Sequence, residues 1–298
     1  MEIIERDGLL KVSYPFIENE NIVAVGGTIR IANGCEINKG FVENVGLPRS
    51  WLAKFQVVEY LRAFMFGRNG FDALDGILII SGAFSCFKKE SLVKIGGFLD
   101  GCIGEDMEII VRIQRVLRKD NHETRIAIIP DPVCWTEAPE KLKILSLQRK
   151  RWQKGTIISL LLHKKLFFNS QYGLLGMVVF PYFVFFEMLG PIIEVLGYFI
   201  FIISIIFGLV PLSFTIVFLS VAILYGVVLS LLSVIFEELT FRKYARTTHL
   251  LELFIIAILE NFGYRQLTSY FRFKGSLEYF LGNREWGKME KKGFSTKD

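Results

Sequence analysis

A chain of 298 residues that is 52% hydrophobic, with 28 phenylalanines and a mean hydropathy of +0.41, is too apolar for an ordinary soluble domain and implies a membrane protein. The net charge of +5 comes from basic residues in the first half, around residues 149–154 and in the tail. No basic stripe interleaved with aromatics accompanies it, which excludes nucleic acid as a partner and fits loops facing anionic lipid.

Residues 1–11 are charged and lack an apolar run, so no signal peptide is expected. Over residues 8–17, Leu9, Leu10, Val12, Phe16 and Ile17 fall at the spacing of a short amphipathic helix. Ile22-Val23-Ala24-Val25 reads as a buried strand running into Gly26-Gly27, which marks a turn or bulge or a close backbone approach. Over residues 51–66, Trp51, Phe55, Val58, Leu61 and Phe64 recur at helical spacing, predicting a helix packed on the domain. Residues 77–84 read as a strand broken by Ser81, Gly82 and Ala83, whose small side chains leave room for a ligand or a neighbouring backbone.

A short helix over residues 89–95 is closed by Gly96-Gly97. Glu105-Asp106 opens a helix that runs to about Arg118; acidic residues there complement the helix dipole, so a capping role stands beside a catalytic one. Residues 125–129 read as a strand ended by Pro130-Asp131-Pro132, and Pro139 and Glu140 fit the first turn of a helix continuing towards His163. On that helix Gln148, Arg151 and Trp152 share a face. An amide for hydroxyls, a guanidinium for phosphate and an indole plate for a sugar ring make one reading of it; an interfacial helix anchored by Trp152 is the other. The soluble half is thus mixed α/β, a sheet covered by helices. Its cysteines (Cys35, Cys86, Cys102, Cys134) and the chain's histidines (His122, His163, His249) are scattered, which supports neither a disulfide framework nor a His/Cys metal site and points to a reducing compartment.

Between Tyr172 and Phe236 the only formal charges are Glu187 and Glu194. Prolines divide this region into three expected spans, residues 174–189, 192–210 and 212–235. Residues 250–259 are expected to form a fourth, packed against the others, with an interfacial helix as the alternative. Glu187 and Glu194 must face protein or water, either as a polar path between helices or as interhelical hydrogen-bonding groups. The tail, with Trp286 among basic residues, suits a surface segment on the cytoplasmic side.

The order of five motifs is more specific than any one of them. Val23-Ala24-Val25-Gly26-Gly27, Gln56-Val57-Val58-Glu59-Tyr60-Leu61-Arg62, Ser81-Gly82-Ala83-Phe84, Gly104-Glu105-Asp106 and Gln148-x-x-Arg151-Trp152 together resemble the membrane-bound, processive family-2 glycosyltransferases, similar to cellulose, hyaluronan and poly-N-acetylglucosamine synthases. The resemblance implies a partial glycosyltransferase A-type (Rossmann-like) α/β domain over residues 1–170, transmembrane α-helices over 171–270 and a cytosolic tail over 271–298. It implies that Asp106 is the general base, that Gln148, Arg151 and Trp152 hold the donor diphosphate and stack on the acceptor sugar, and that Ser81, Gly82 and Ala83 line the acceptor site, with Glu105 also in the substrate site. The membrane helices would form a path for the growing polymer.

The implied reaction is inverting transfer from a nucleotide-sugar donor to a polysaccharide or glycan acceptor, in a multi-pass protein of the plasma membrane whose soluble part is cytoplasmic and which contacts lipid. A divalent metal, Mg or Mn, is expected from the family, but the D-x-D that would bind it is absent from this sequence. The chain therefore reads as the C-terminal portion of a synthase, with a separate chain carrying the N-terminal half as a candidate partner. The alternative is a non-catalytic membrane partner that binds or exports a glycan.

Overall fold

The computed structural model describes residues 2–244 and 246–283. Its strands are β1 (Glu2–Ile4), β2 (Ile22–Ile31), β3 (Glu36–Asn38), β4 (Phe41–Asn44), β5 (Ser85–Phe87) and β6 (Arg125–Thr136). Four of them form a mixed sheet in the order β1-β6-β2-β5, with β2 and β6 parallel and the outer pairs antiparallel, while β3 and β4 make a separate ribbon. Side chains alternate across the sheet as a two-residue period requires. Ala24, Ile126 and Ile128 pack in one cluster with Ile109, Ile110 and Ile113, whereas Val25, Ala127 and Ile129 pack in another with Val12 and Phe64.

The helices around the sheet are α1 (Gly8–Glu18), α2 (Trp51–Arg62), α3 (Asn69–Ala73), α4 (Lys89–Lys94), α5 (Glu105–Asp120) and α6 (Leu142–Leu162), with a π-helical stretch, Ala63–Arg68, joining α2 to α3. Beyond them come two π-helical stretches, Leu175–Val179 and Phe183–Met188, on either side of the short α7 (Phe180–Tyr182), then α8 (Gly190–Ile206), α9 (Leu212–Thr240), α10 (Thr247–Leu259) and α11 (Tyr264–Phe280).

The sheet covered by helices is as expected, but several local expectations change. Residues 77–84 do not form a strand: Ile77, Leu78 and Ile80 are buried, yet no ladder partner lies alongside them among the described residues, and the hydrogen-bonded strand begins only at Ser85. Conversely β6 does not stop at the prolines. Register shifts around Thr28 of β2 let Pro130 and Pro132 pass, and pairing resumes from Ile29↔Cys134 to Ile31↔Thr136. The Gly26-Gly27 pair lies within β2 and marks a close approach: a Cβ on Gly26 would fall 2.7 Å from Ile80, and one on Gly27 would fall 2.1 Å from Val133. Regular α6 starts at Leu142 rather than at Pro139, and Trp51 is exposed rather than core.

The apolar half departs most from expectation. Among the described residues α9 is the one helix long and apolar enough by itself to cross a bilayer; Leu175–Met188 and Gly190–Ile206 pass the same test only as a pair bent by 45°. By length and composition one such helix, or two if the bent pair counts as one span, passes among the described residues, where three or four spans were expected. One side of residues 174–189 is committed to the sheet domain: Leu175, Val179, Phe180 and Phe183 pack with Leu78, Met107, Val111 and Leu160. With 13 residues, α10 is too short to span, and it packs against α2 and α9 through Leu253, Ile256 and Ala257. Residues 271–280 belong to α11, which lies along α6 instead of forming a separate surface tail; Trp286 lies outside the described residues.

Two buried ion pairs fasten α9 and α10 to the sheet domain. Arg30 of β2 pairs with Glu237 of α9, both nearly inaccessible, and Arg62 of α2 pairs with Glu260 at the end of α10, which also accepts from Ser230 of α9. Removing one partner of such a pair leaves an uncompensated buried charge, at about 3–5 kcal/mol.

One contact brings the sheet domain's functional elements together. Gly104 caps α5 in the left-handed region (φ 78°) and sits against Gly155 of α6, so closely that a Cβ on Gly104 would lie 2.7 Å from the Gly155 Cα. Gly155→Leu is expected to push α5 from α6 and lower the thermal midpoint in detergent by the equivalent of about 1–3 kcal/mol. Gly70→Ala, where a Cβ meets nothing within 4 Å, should leave the midpoint undiminished.

Candidate active site

A cavity of about 1180 Å³ opens between the sheet domain and the helices that follow it. Asp106 and Glu105 line it from the start of α5, Ser81, Gly82 and Ala83 from the irregular segment before β5, and Gln148, Arg151 and Trp152 from α6. Every sequence-predicted site residue thus reaches one space, although they come from three separated stretches.

The Asp106 carboxylate serves the start of α5 and the cavity wall at once. Oδ1 accepts the Met107 N–H at 2.9 Å, a local helix-start contact, while Oδ2 accepts the Gly82 N–H at 3.3 Å across the cavity wall. Glycine at 82 permits this approach, since a Cβ there would sit 3.2 Å from the Asp106 carboxylate. Burial pushes the Asp106 carboxyl above its ordinary value of 3.8; the Met107 N–H opposes the rise, Glu105 adds to it, and the Gly82 N–H and Arg68 oppose it. A carboxylate so held has its proton affinity raised, as suits a group that takes up a proton.

On α6 the shared face predicted from helical spacing exists. Trp152 is 42% exposed, so its ring is available at the cavity rim, with the Arg149 guanidinium 4.2 Å from its centroid and the Tyr60 ring 6.5 Å away. Gln148 is buried, and its Oε1 has no protein hydrogen-bond partner. At the far end of the cavity Glu187 pairs with Arg272 of α11 at 2.9 Å, and Glu194 accepts from Ser269 at 2.6 Å. Both glutamates therefore bond between helices, and both line the cavity.

Sequence reasoning missed four cavity residues. Glu59, Arg149 and Tyr264 form a hydrogen-bonded group on one wall. Arg68 stacks over Phe64, 3.9 Å from its ring centroid, and burial brings its pKa down to about 10. Glu59 lay within the Gln56–Arg62 motif and Arg149 within the Gln148–Trp152 motif, so both were open to helical-spacing arguments. Nothing local marks Arg68, which sits in the π-helical stretch, and the motif's Gln56 is structural, its amide donating to Leu52 and Pro139 carbonyls.

Among the described residues no group of three or more His, Cys, Asp or Glu side chains converges to hold a divalent metal, and each oxygen of Asp106 accepts a backbone N–H.

A family model described as glycosyl transferase family group 2 matches residues 30–229. The chain is similar to the poly-beta-1,6-N-acetyl-D-glucosamine synthase of Staphylococcus epidermidis, with 27% identity over 153 residues, 51% of this chain and 32% of that protein. The synthase of the same description from Staphylococcus aureus is 28% identical over 153 residues, with the same shares covered. The match thus spans 32% of the length of these relatives.

The raised Asp106 pKa has a stability consequence. Folding disfavours the ionised carboxylate, so stability conferred by the protonated form is lost as pH rises from 3.8 through the folded value. Asp106→Asn should therefore gain in thermal midpoint relative to the parent as pH rises from 3.8 through the folded value of Asp106, and the difference between the two should level off below 3.8. A difference that moves the other way across this range would show that folding favours the carboxylate.

Proposed function

We propose, from the premise that this chain belongs to glycosyl transferase family group 2, that its cavity is a sugar-transfer site that holds the acceptor end of a growing polysaccharide against a nucleotide-sugar donor. The observation that carries this reading is the convergence of Asp106, the Ser81-Gly82-Ala83 segment and the Gln148, Arg151 and Trp152 face on one cavity.

In this reading an acceptor sugar stacks on the exposed Trp152 ring, with its reacting hydroxyl beside Asp106. Asp106 accepts the hydroxyl proton as the oxygen attacks the donor's anomeric carbon, and the bond from that carbon to the diphosphate oxygen breaks on the opposite side. A new glycosidic bond forms with inversion, the nucleoside diphosphate leaves with the bonding pair, and Arg151 stabilises its charge. Gln148, with an amide oxygen that no protein group satisfies, supplies a fixed acceptor for a sugar hydroxyl or amide. Family-2 enzymes generally use a divalent metal, and its ligands are assigned to the larger share of the family's length that this match does not cover, on the same or a separate chain. No step above runs through it.

The apolar surface of α8 and α9 supports placing the protein in a membrane, with the cavity at its cytoplasmic face. Phe199, Ile200, Ile206, Phe214, Val217 and Leu224 are all exposed, and a 29-residue helix is about 43 Å long, more than the ~30 Å hydrocarbon core needs. N-acetylglucosamine, the unit in the relatives' name, is the first donor sugar to test.

The test is transfer of labelled sugar from a panel of nucleotide sugars in membranes containing the full chain, with and without the polypeptide that completes the relatives' length. Asp106→Asn is expected to lower turnover by about 10²–10⁴-fold while glycan binding persists. Transfer that continues undiminished in this variant would remove Asp106 as the base. Glycan binding without transfer under every condition would favour the glycan-binding or export role.

A further inference from the structure

The wall of the cavity beside Trp152 contains a charged group that the proposed reaction does not use. Arg149 is 1% exposed and donates through Nη2 to Glu59 of α2 at 2.7 Å and to the Tyr264 hydroxyl of α11 at 3.5 Å. Tyr264, itself 5% exposed, donates its hydroxyl to the same Glu59 oxygen, and its ring stacks on Phe55 of α2 at 5.0 Å. Three helices thus meet at one guanidinium.

What this guanidinium faces is Trp152. Its Nε and Nη1 are buried with no protein hydrogen-bond partner, while its centre lies 4.2 Å from the indole centroid, within cation–π range. A buried arginine with only one nitrogen hydrogen-bonded is a costly way to join helices, since apolar side chains of similar volume would do so without desolvating a charge. What such an arrangement supplies is direction: a planar cation fixed from two sides holds a planar ring in one orientation. Trp152 needs such a hold, because it is half exposed at the rim and the Tyr60 ring lies 6.5 Å away.

We propose that Glu59, Arg149 and Tyr264 are positioning residues that set the plane of Trp152 for an acceptor sugar and make that plane depend on the seating of α11. Arg149 acts through the indole and does not itself meet the sugar. Tyr264 is the first residue of α11, directly after the α10–α11 joint at Gly263, where φ is 104°. A shift of α11 along α6 therefore moves the hydroxyl that holds Arg149. Preorganising the ring in this way strengthens acceptor binding by removing the cost of ordering it on contact. The proposal rests on the sugar-transfer reading for the identity of the ligand, but not for the state of the ring.

The test uses the full chain in detergent, with Tyr264→Phe and Glu59→Gln, and reads Trp152 as the difference in emission between each protein and its Trp152→Phe counterpart. Without ligand, both variants should shift the Trp152 emission and its acrylamide quenching while the thermal midpoint of Tyr264→Phe stays close to the parent's. With a short N-acetylglucosamine oligosaccharide as probe, Tyr264→Phe should bind about five- to tenfold more weakly, within the net worth of a typical intramolecular hydrogen bond. In the active enzyme this loss should fall on the acceptor KM and leave kcat near the parent value. Unchanged Trp152 emission and quenching in both variants would overturn the proposal, whether or not the protein binds or transfers sugar. Loss of oligosaccharide binding by the parent alone would instead count against the sugar-transfer reading, because the ligand-free spectra still decide the positioning role.

Discussion

The architecture of the cavity depends on two backbones touching. Gly104 at the start of α5 and Gly155 in α6 approach so closely that neither position has room for a side chain. This contact places Asp106, two residues into one helix, opposite the Gln148, Arg151 and Trp152 face of the other. It also explains why the left-handed cap at Gly104 is needed: the chain must turn sharply out of the loop so that α5 begins at the cavity and not beside it. A larger residue at either glycine would widen the space between proton acceptor and sugar plate, and geometry at a reacting centre tolerates displacements of only a fraction of an ångström.

The second constraint is that the apolar helices share the sheet domain's cores. Val234 and Ile256 pack with Val57, Val58 and Leu61, and Phe180 packs with Met107 and Val111. The Arg30–Glu237 and Arg62–Glu260 pairs hold those helices at the same junction. Charges buried where sheet domain and apolar helices meet are costly to separate, so the cavity's two walls behave as one body. Arg272 extends the arrangement: from α11 it donates both to Gln153 of α6 and to Glu187, linking the functional helix to the bent apolar segment. Glu187 and Glu194 are tolerated amid apolar sequence because α11 supplies their partners.

Much of the fold and of the site was readable from local pattern because that pattern reflects local physics. Helical spacing put Gln148, Arg151 and Trp152 on one face, and the structure places that face on the cavity. The continuous apolar runs of residues 22–25 and 126–129 marked the two parallel strands at the sheet's centre, buried on both faces. What local pattern cannot carry is the neighbour. Ile77 to Ile80 have strand-forming side chains but no ladder beside them among the described residues, and Pro130 and Pro132 stay within a strand because β6 bulges there, its extra residues passing unpaired beside Gly27 to Ile29 of β2. Residues 174–189 are apolar enough to be taken for a span, yet Leu175, Val179 and Phe183 recur every four residues and face the sheet domain, so periodicity held a clue that composition hid. The Gly82–Asp106 contact and the reach of Arg68 depend wholly on tertiary placement.

The central claim, that this cavity seats a glycan end between Trp152 and Asp106, is tested most directly by an experimental structure of the full chain with a short N-acetylglucosamine oligosaccharide bound. The account predicts the terminal ring lying on the exposed face of the Trp152 indole, with one of its hydroxyls within about 3 Å of an Asp106 oxygen. An oligosaccharide bound elsewhere, or one seated in the cavity with no hydroxyl in reach of Asp106, would contradict it.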